Sequence, residues 1–249
     1  FFRGLLLLKQ FKSQSLKAVS QSDIVFFFPF YHTGGAERVH LNIVQALINK
    51  KCTVVFTQGS ATTNFLNDFK QVATVVELNP ILNKRSKYVN KKLKDLLVNT
   101  INSSTSITHV LGCNSVYYYS LLSLLNNLKI KLDLIHALAK NDERTTVLAE
   151  TAKYINTRVV INKKAKADLK HIYLNHVIDD HYLNNIKIIS NGVNIPKNSV
   201  LNLNDKVYNP IKIGFVGRWS NEKSPSIFLE MAQLVKKKHP EVHLIMAGP

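Results

Sequence analysis

Gly217, Arg218 and Lys223 lie in the run GFVGRWSNEKSP, between a short apolar segment and a segment of helical period that opens at Pro225. An arginine offers a planar fork matched to phosphate oxygens, and a lysine a compact point charge. A helix start adds free N–H groups and the positive end of a dipole. At the rim of an α/β sheet, this combination is a clamp for a diphosphate. Taken alone, the two cations have a second reading, as surface charges neutralised by Glu222. A second turn, YHTGGAER, places Gly34 and Gly35 between an apolar run and a helical one. Two glycines there admit positive φ and let a ligand approach the backbone. They fit neither GxGxxG nor a Walker loop, so dinucleotide and ATP sites are not indicated. His136, in DLIHALAKNDE, falls at the carboxyl end of a predicted strand, the edge where open α/β sheets hold ligands. It is one of nine histidines, and a lone histidine is more often structural; His109, in mid-strand, fits that description. Asn191-Gly192, in IISNGVNIP, is a turn signal after another strand.

The elements that must position these residues alternate. Short β-rich apolar runs at 23–28, 53–57, 72–78, 107–111, 131–136, 158–161 and 186–190 are separated by helical periods at 36–49, 63–69, 83–99, 115–125, 144–155 and 163–174. That is the pattern of a parallel sheet with crossover helices. The Lys-rich 83–99 stretch reads as a solvated helix with Leu93, Leu96 and Leu97 on one buried stripe. Residues 193–210 have no period and read as a connector. A second alternation follows: strand 211–216, helix 225–237, strand 243–247. The expected class is α/β with two doubly wound, Rossmann-like domains: a segment at 1–22, a first domain at 23–200, and the start of a second at 201–249. There is no starting Met, and the sequence stops directly after an apolar strand, so it reads as a fragment.

Composition bounds the rest. Of 249 residues, 45% are hydrophobic and 20% charged, which is ordinary for a globular chain with a substantial core. The formal net charge is +17. A polyanionic partner and a compositional bias toward Lys, Asn and Ile both account for it. Because 27 of the 33 basic residues are lysine, the six arginines carry more information. No aromatic–basic motif of a nucleic-acid module occurs, so no nucleic-acid partner is expected. Cys52 and Cys113 form no CxxC or Cys/His spacing, and neither a disulfide framework nor a metal site is expected. The leader FFRGLLLLKQFKSQSLKAV is too short to span a bilayer. It reads either as a basic amphipathic helix on an anionic membrane or as a helix packed on the first domain.

The order of motifs is more specific than any one of them. GGAERV, SNGVNI and FVGRWSNEKSPSIFLEMAQLV together resemble the landmarks of the GT-B-fold retaining glycosyltransferases of family four, over residues 23–249. The resemblance implies two Rossmann-like domains facing across a cleft, acceptor on the first and nucleotide-sugar donor on the second. It implies that Arg218 and Lys223, with Gly217, hold the donor diphosphate of a UDP- or GDP-type sugar. Asn191 and Gly192 would border the donor, Gly34 and Gly35 the phosphates or acceptor, and His136 the transferred sugar. It implies transfer with retention to a glycan or lipid-linked acceptor, as in cell-surface polysaccharide synthesis. No cofactor or divalent metal would be needed, and the chain contains no Asp-x-Asp. The setting would be cytoplasmic, with a peripheral position on an anionic membrane. Two features depart from the pattern: Asn194 stands where the family often has Asp, and the paired-glutamate motif would lie beyond residue 249. The fragment alone is therefore expected to be inactive. A non-catalytic nucleotide-sugar-binding module is the competing expectation, and absence of both glutamates from the full-length chain would favour it.

Overall fold

A computed structural model describes residues 2–83, 86–139, 142–193 and 210–248. The chain divides into two compact units, Phe1–Gly192 and Val193–Pro249.

The first unit is built on β1 (Ile24–Phe28), β2 (Cys52–Phe56), β3 (Thr74–Glu77), β4 (His109–Cys113), β5 (Ile130–Ile135), β6 (Thr157–Val160) and β7 (Ile186–Ile188). All pair in parallel, in the order β3-β2-β1-β4-β5-β6-β7. The central strands are continuous apolar runs because both faces are covered. Along β1 the side chains alternate: Val25 and Phe27 enter one core, Phe26 and Phe28 the other, all four fully buried. Each such side chain contributes roughly 1.5–3 kcal/mol.

The core on the Phe26 face is closed by α2 (Gly35–Ala46) through Leu41 and Val44, and by α3 (Leu66–Val72) through Phe69. The opposite core draws on α1 (Phe2–Ser20), α4 (Asn79–Leu82), α5 (Lys87–Ser103), α6 (Val116–Tyr119), α7 (Thr145–Glu150) and α8 (Lys163–Asn175). The leader is thus α1, with Leu8, Phe11, Leu16 and Val19 turned into this core. In α5 the buried stripe is Val89, Leu93, Leu97, Val98 and Ile101, with Leu96 half-buried beside it; Ser86 accepts from Val89 N at 3.4 Å and caps the helix.

Two predicted helices are shorter than their periodicity suggests. Of 115–125, only α6 is α-helical; the chain then tightens to i→i+3 bonds, Leu121 N to Tyr118 O and Leu124 N to Leu121 O, while Leu121, Leu122 and Leu125 stay buried. Of 144–155, α7 ends at Glu150, where the Thr151 hydroxyl donates to Val147 O at 2.6 Å, and a 3₁₀ turn at Ala152–Tyr154 follows. A back-bonding threonine of this kind bends a helix or ends it.

Gly112 in β4 admits the Tyr118 ring: a Cβ there would lie 1.9 Å from its Cδ1. Tyr118 cannot give way, since it is fully buried and its hydroxyl donates to Leu132 O at 2.8 Å and Val110 O at 3.2 Å. Gly112→Ala is expected to lower stability by about 1–3 kcal/mol, the usual range for overpacking. A urea titration followed by far-ultraviolet dichroism measures it.

The second unit consists, among the described residues, of β8 (Lys212–Val216), α9 (Pro225–Lys238) and β9 (His243–Ala247), the two strands parallel and in register. Phe215 meets Phe228 of α9 with ring centroids 5.6 Å apart, within the range of aromatic contacts. The other sheet face presents Val216 and Ile245 to solvent.

Candidate functional site

In the first unit the strand order reverses between β1 and β4, so the crevice at their carboxyl ends is the expected place for a ligand. β1 leads through His32 and Gly34 to the start of α2, β4 ends on Cys113 with Asn114 directly after it, and β5 delivers His136 one residue past its last. A mainly apolar cavity of about 400 Å³, lined by Asp23, Leu47, Lys50 and His109 among others, lies at the opposite, amino-terminal edge and reaches none of these groups.

The glycine pair sits where predicted, but for a different reason. Neither glycine has positive φ; Gly34, the N-cap of α2, is extended at φ −170°. A Cβ on Gly34 would stand 2.1 Å from Glu37 Oε2, whereas one on Gly35 would meet nothing within 4 Å. What Gly34 accommodates is therefore the Glu37 carboxylate, folded back over the helix start, where the dipole favours negative charge. His32 Nε2 lies 3.6 Å from Glu37 Oε1, and the His32 ring stacks on Phe30 with centroids 4.8 Å apart.

His40, one turn further along α2, is a site residue the sequence did not reveal. It is 1% exposed, its ring lies 4.2 Å from that of Phe28 at 7°, and its Nε2 is 3.1 Å from His136 Nε2. His136 is buried in turn. Burial, and then the neighbouring His136, hold the His40 imidazole well below the ordinary histidine range; burial also lowers His136. The contact between the two Nε2 atoms needs one ring to donate and the other to accept.

Cys113 completes the only cluster of three metal-ligand side chains among the described residues: His40, Cys113 and His136, with ligand atoms within 4.8 Å of one another. Burial, with the Asp133 charge behind it, pushes the Cys113 thiol well up. Other groups hold the loop after His136. Asp142 accepts from Ala139 N at 3.2 Å and from Arg144 Nε at 2.8 Å; Arg144 also donates to Ala137 O at 2.9 Å and to Asn114 Oδ1. Asn114 adopts φ 49°, uncommon for a residue with a side chain. The Arg144 hydrogen bonds hold the Asp142 carboxyl at about 2. Asn114, Asp142 and Arg144 carried no signal in the sequence.

Acid is expected to weaken the first unit through the histidine pair. A folded-state pKa depressed below the unfolded value of 6.5 gives stability that is present above that value and lost as pH falls through the window beneath it. The slope approaches about 1.4 kcal/mol per pH unit for His40. Urea midpoints measured from neutral pH downward test this, and His40→Leu should flatten the fall.

In the second unit, Gly217, Arg218 and Lys223 share the loop between β8 and α9. Gly217 N donates to Ala247 O at 3.0 Å. Gly248, at φ +154°, packs so closely that a Cβ on it would lie 1.8 Å from Gly217 O. The stem of Lys223 runs beside Gly217: a Cβ there would be 3.6 Å from Lys223 Cγ, ordinary contact. A 3₁₀ turn at Asn221–Lys223 leads to Ser224, left-handed at φ 50°, and Pro225 opens the 14-residue α9. Arg218, Trp219 and Lys223 are exposed at this helix start. The side chain of Glu222, the predicted neutralising partner, lies outside the described residues, as does Asn194. Asn191 and Gly192 follow β7 as exposed residues at the end of the first unit.

The architecture is α/β, with a Rossmann-like first unit of the kind that builds the GT-B fold. No family model and no curated protein matches the sequence. Among solved structures, the chain is similar to Anabaena HepE, crystallised with UDP and glucose: TM-score 0.58, 15% identity, 90% of this chain covered. The chain spans about 60% of the length of HepE. That likeness is one of fold. Among the described residues, no helix is long and apolar enough to cross a membrane.

Proposed function

We propose that this chain belongs to a nucleotide-sugar-dependent glycosyltransferase of the retaining GT-B type, with the donor diphosphate held at Gly217, Arg218 and Lys223. The observation that carries the reading is the β8–α9 loop. It gathers Gly217, an arginine fork, a lysine whose stem lies along that glycine, and the start of a 14-residue helix. Each is a phosphate-binding device. A fold similar to that of HepE, which was solved with UDP and glucose, supports it.

Arg218 and Lys223 bind the diphosphate and offset the charge that grows on it as the glycosidic bond breaks; such preorganised stabilisation is often the largest catalytic contribution. His136, at the carboxyl edge of the first unit, meets the transferred sugar, and Gly34 and Gly35 border its acceptor or phosphates. Asn191 and Gly192 border the donor. The donor is a UDP- or GDP-type sugar, the acceptor a glycan or lipid-linked glycan of a surface polysaccharide. No metal is required. The net charge of +17 suits a peripheral position on the cytoplasmic side of an anionic membrane.

Trp219 is the sole tryptophan and adjoins Arg218, so its emission reports the loop directly. Titration with UDP, GDP and the corresponding monophosphates should give saturable changes with the diphosphates and weak ones with the monophosphates. Equal response to mono- and diphosphates would remove the clamp. Incubation of the full-length protein with labelled UDP- and GDP-sugars then tests transfer; tight donor binding without transfer to any glycan or lipid-linked acceptor would favour the non-catalytic module.

A further inference from the structure

We infer that His40 fixes His136 as the Nδ1–H tautomer, so that His136 faces the site as a hydrogen-bond donor rather than as a base. The bond between the two Nε2 atoms, 3.1 Å long, needs one bare nitrogen and one that carries the hydrogen. The environment of His40 decides which. Its ring is sealed between Phe28 and the core, and its Nδ1 is buried with no partner. If His136 donated, the His40 hydrogen would sit on that Nδ1, a buried N–H with no acceptor, among the rarest conditions in folded proteins. With the hydrogen on His40 Nε2, the sealed Nδ1 keeps only a lone pair, and His136 Nε2 accepts. A neutral imidazole carries one N–H, so that of His136 is on Nδ1. His136 Nδ1, unlike that of His40, is not sealed and unpartnered in the interior.

The consequence rests on the reading of His136 as a sugar-facing residue. An Nδ1–H can donate to a hydroxyl or ring oxygen of the transferred sugar, but cannot take a proton from the acceptor without first losing its own. His40 is thereby a positioning residue, acting through His136.

The tautomer is tested first, in the unaltered protein. Long-range proton–nitrogen correlations in histidine-labelled protein distinguish protonated from bare ring nitrogens, and His40→Gln and His136→Gln assign the signals. His136 protonated on Nδ1 and His40 on Nε2 is the expected result; the reverse pattern, or two equally populated tautomers, overturns the inference. A cobalt(II) titration that shifts both histidines and produces a thiolate-to-cobalt band would also overturn it, because an ion and not a hydrogen would then lie between the Nε2 atoms. The second arm is kinetic, on the full-length protein. His40→Leu, which cannot donate, should lower kcat about tenfold or more with KM little changed, while His40→Gln, whose amide can donate to Nε2, should recover most of the loss. The expected tautomer together with wild-type turnover in both variants would sink the contact between His136 and the sugar and leave the tautomer standing.

Discussion

Arg158→Met is expected to cost the first unit about 3–5 kcal/mol, the usual consequence of leaving a buried charge unpaired. Arg158 is the second residue of β6 and is 1% exposed. Its Nε donates to Asp133 Oδ2 at 2.8 Å, and the rest of its fork to Leu148 O at 2.7 Å, the Tyr173 hydroxyl at 2.6 Å and Thr151 Oγ1 at 3.1 Å. Asp133, in the middle of β5, accepts from the Tyr119 hydroxyl at 3.0 Å. The Arg158–Asp133 pair thus ties β5, β6, α6, α7 and α8 together.

Methionine fills similar space but answers none of these groups, and Asp133 is left without a cation. Burial already raises the Asp133 carboxyl above its ordinary range, with Arg158 opposing that rise. In the variant the opposition is gone and the folded-state value climbs further. A carboxyl whose folded value exceeds its unfolded one loses stability as pH rises between the two. The deficit relative to wild type should therefore be larger at neutral pH than at about pH 4, where Asp133 is protonated. Adding Asp133→Leu should recover part of the loss, since an apolar pair can replace a buried ion pair. Urea titrations of the single and double variants decide it; a single variant as stable as wild type would show that the network does not hold these elements together.

The contrast between Arg158 and Arg218 explains what the sequence could and could not convey. The setting of Arg218 is legible because it is local: a glycine before it, a lysine five positions on, a proline opening a helix. The sheet is legible for the same reason, since a strand covered on both faces writes itself as an apolar run, as in IVFFF of β1. Arg158 and His40 are illegible because their partners are remote in sequence. His40 meets His136 across 96 positions, and its place on the buried face of α2 looks like that of any core residue. Gly34 shows an intermediate case. The position of the pair is readable, but what Gly34 makes room for is a carboxylate three residues on and not a backbone angle. The leader is ambiguous because an apolar stripe beside lysines suits a membrane surface as well as a protein core; in the structure Phe11 and Val19 pack inward, while Leu6 is exposed.

Arg218→Ala should weaken nucleoside-diphosphate binding by about ten- to a hundredfold, as expected when a charged hydrogen-bond donor is lost. Arg218→Lys should restore only a part of this, because an ammonium supplies charge but not the fork. Lys223→Ala should have a smaller effect on binding, since an ammonium is a point charge without the planar fork of arginine. That ranking separates a site from a charged surface. If the two cations were surface charges only, alanine at either position would act equally and weakly, and added salt would abolish both effects together. In a clamp, the Arg218 contribution persists at high salt while that of Lys223 fades, because short charge-assisted hydrogen bonds are screened less than a solvated point charge. Trp219 emission, one residue from the fork, allows each affinity to be measured in the same titration, and the tryptophan is unchanged in every variant. Gly217→Ala adds the last constraint. A Cβ there fits beside Lys223 Cγ at 3.6 Å, so the variant should fold normally. If the backbone at Gly217 lies against the phosphates, its added methyl group should still reduce diphosphate affinity, and wild-type affinity would place the ligand away from that glycine.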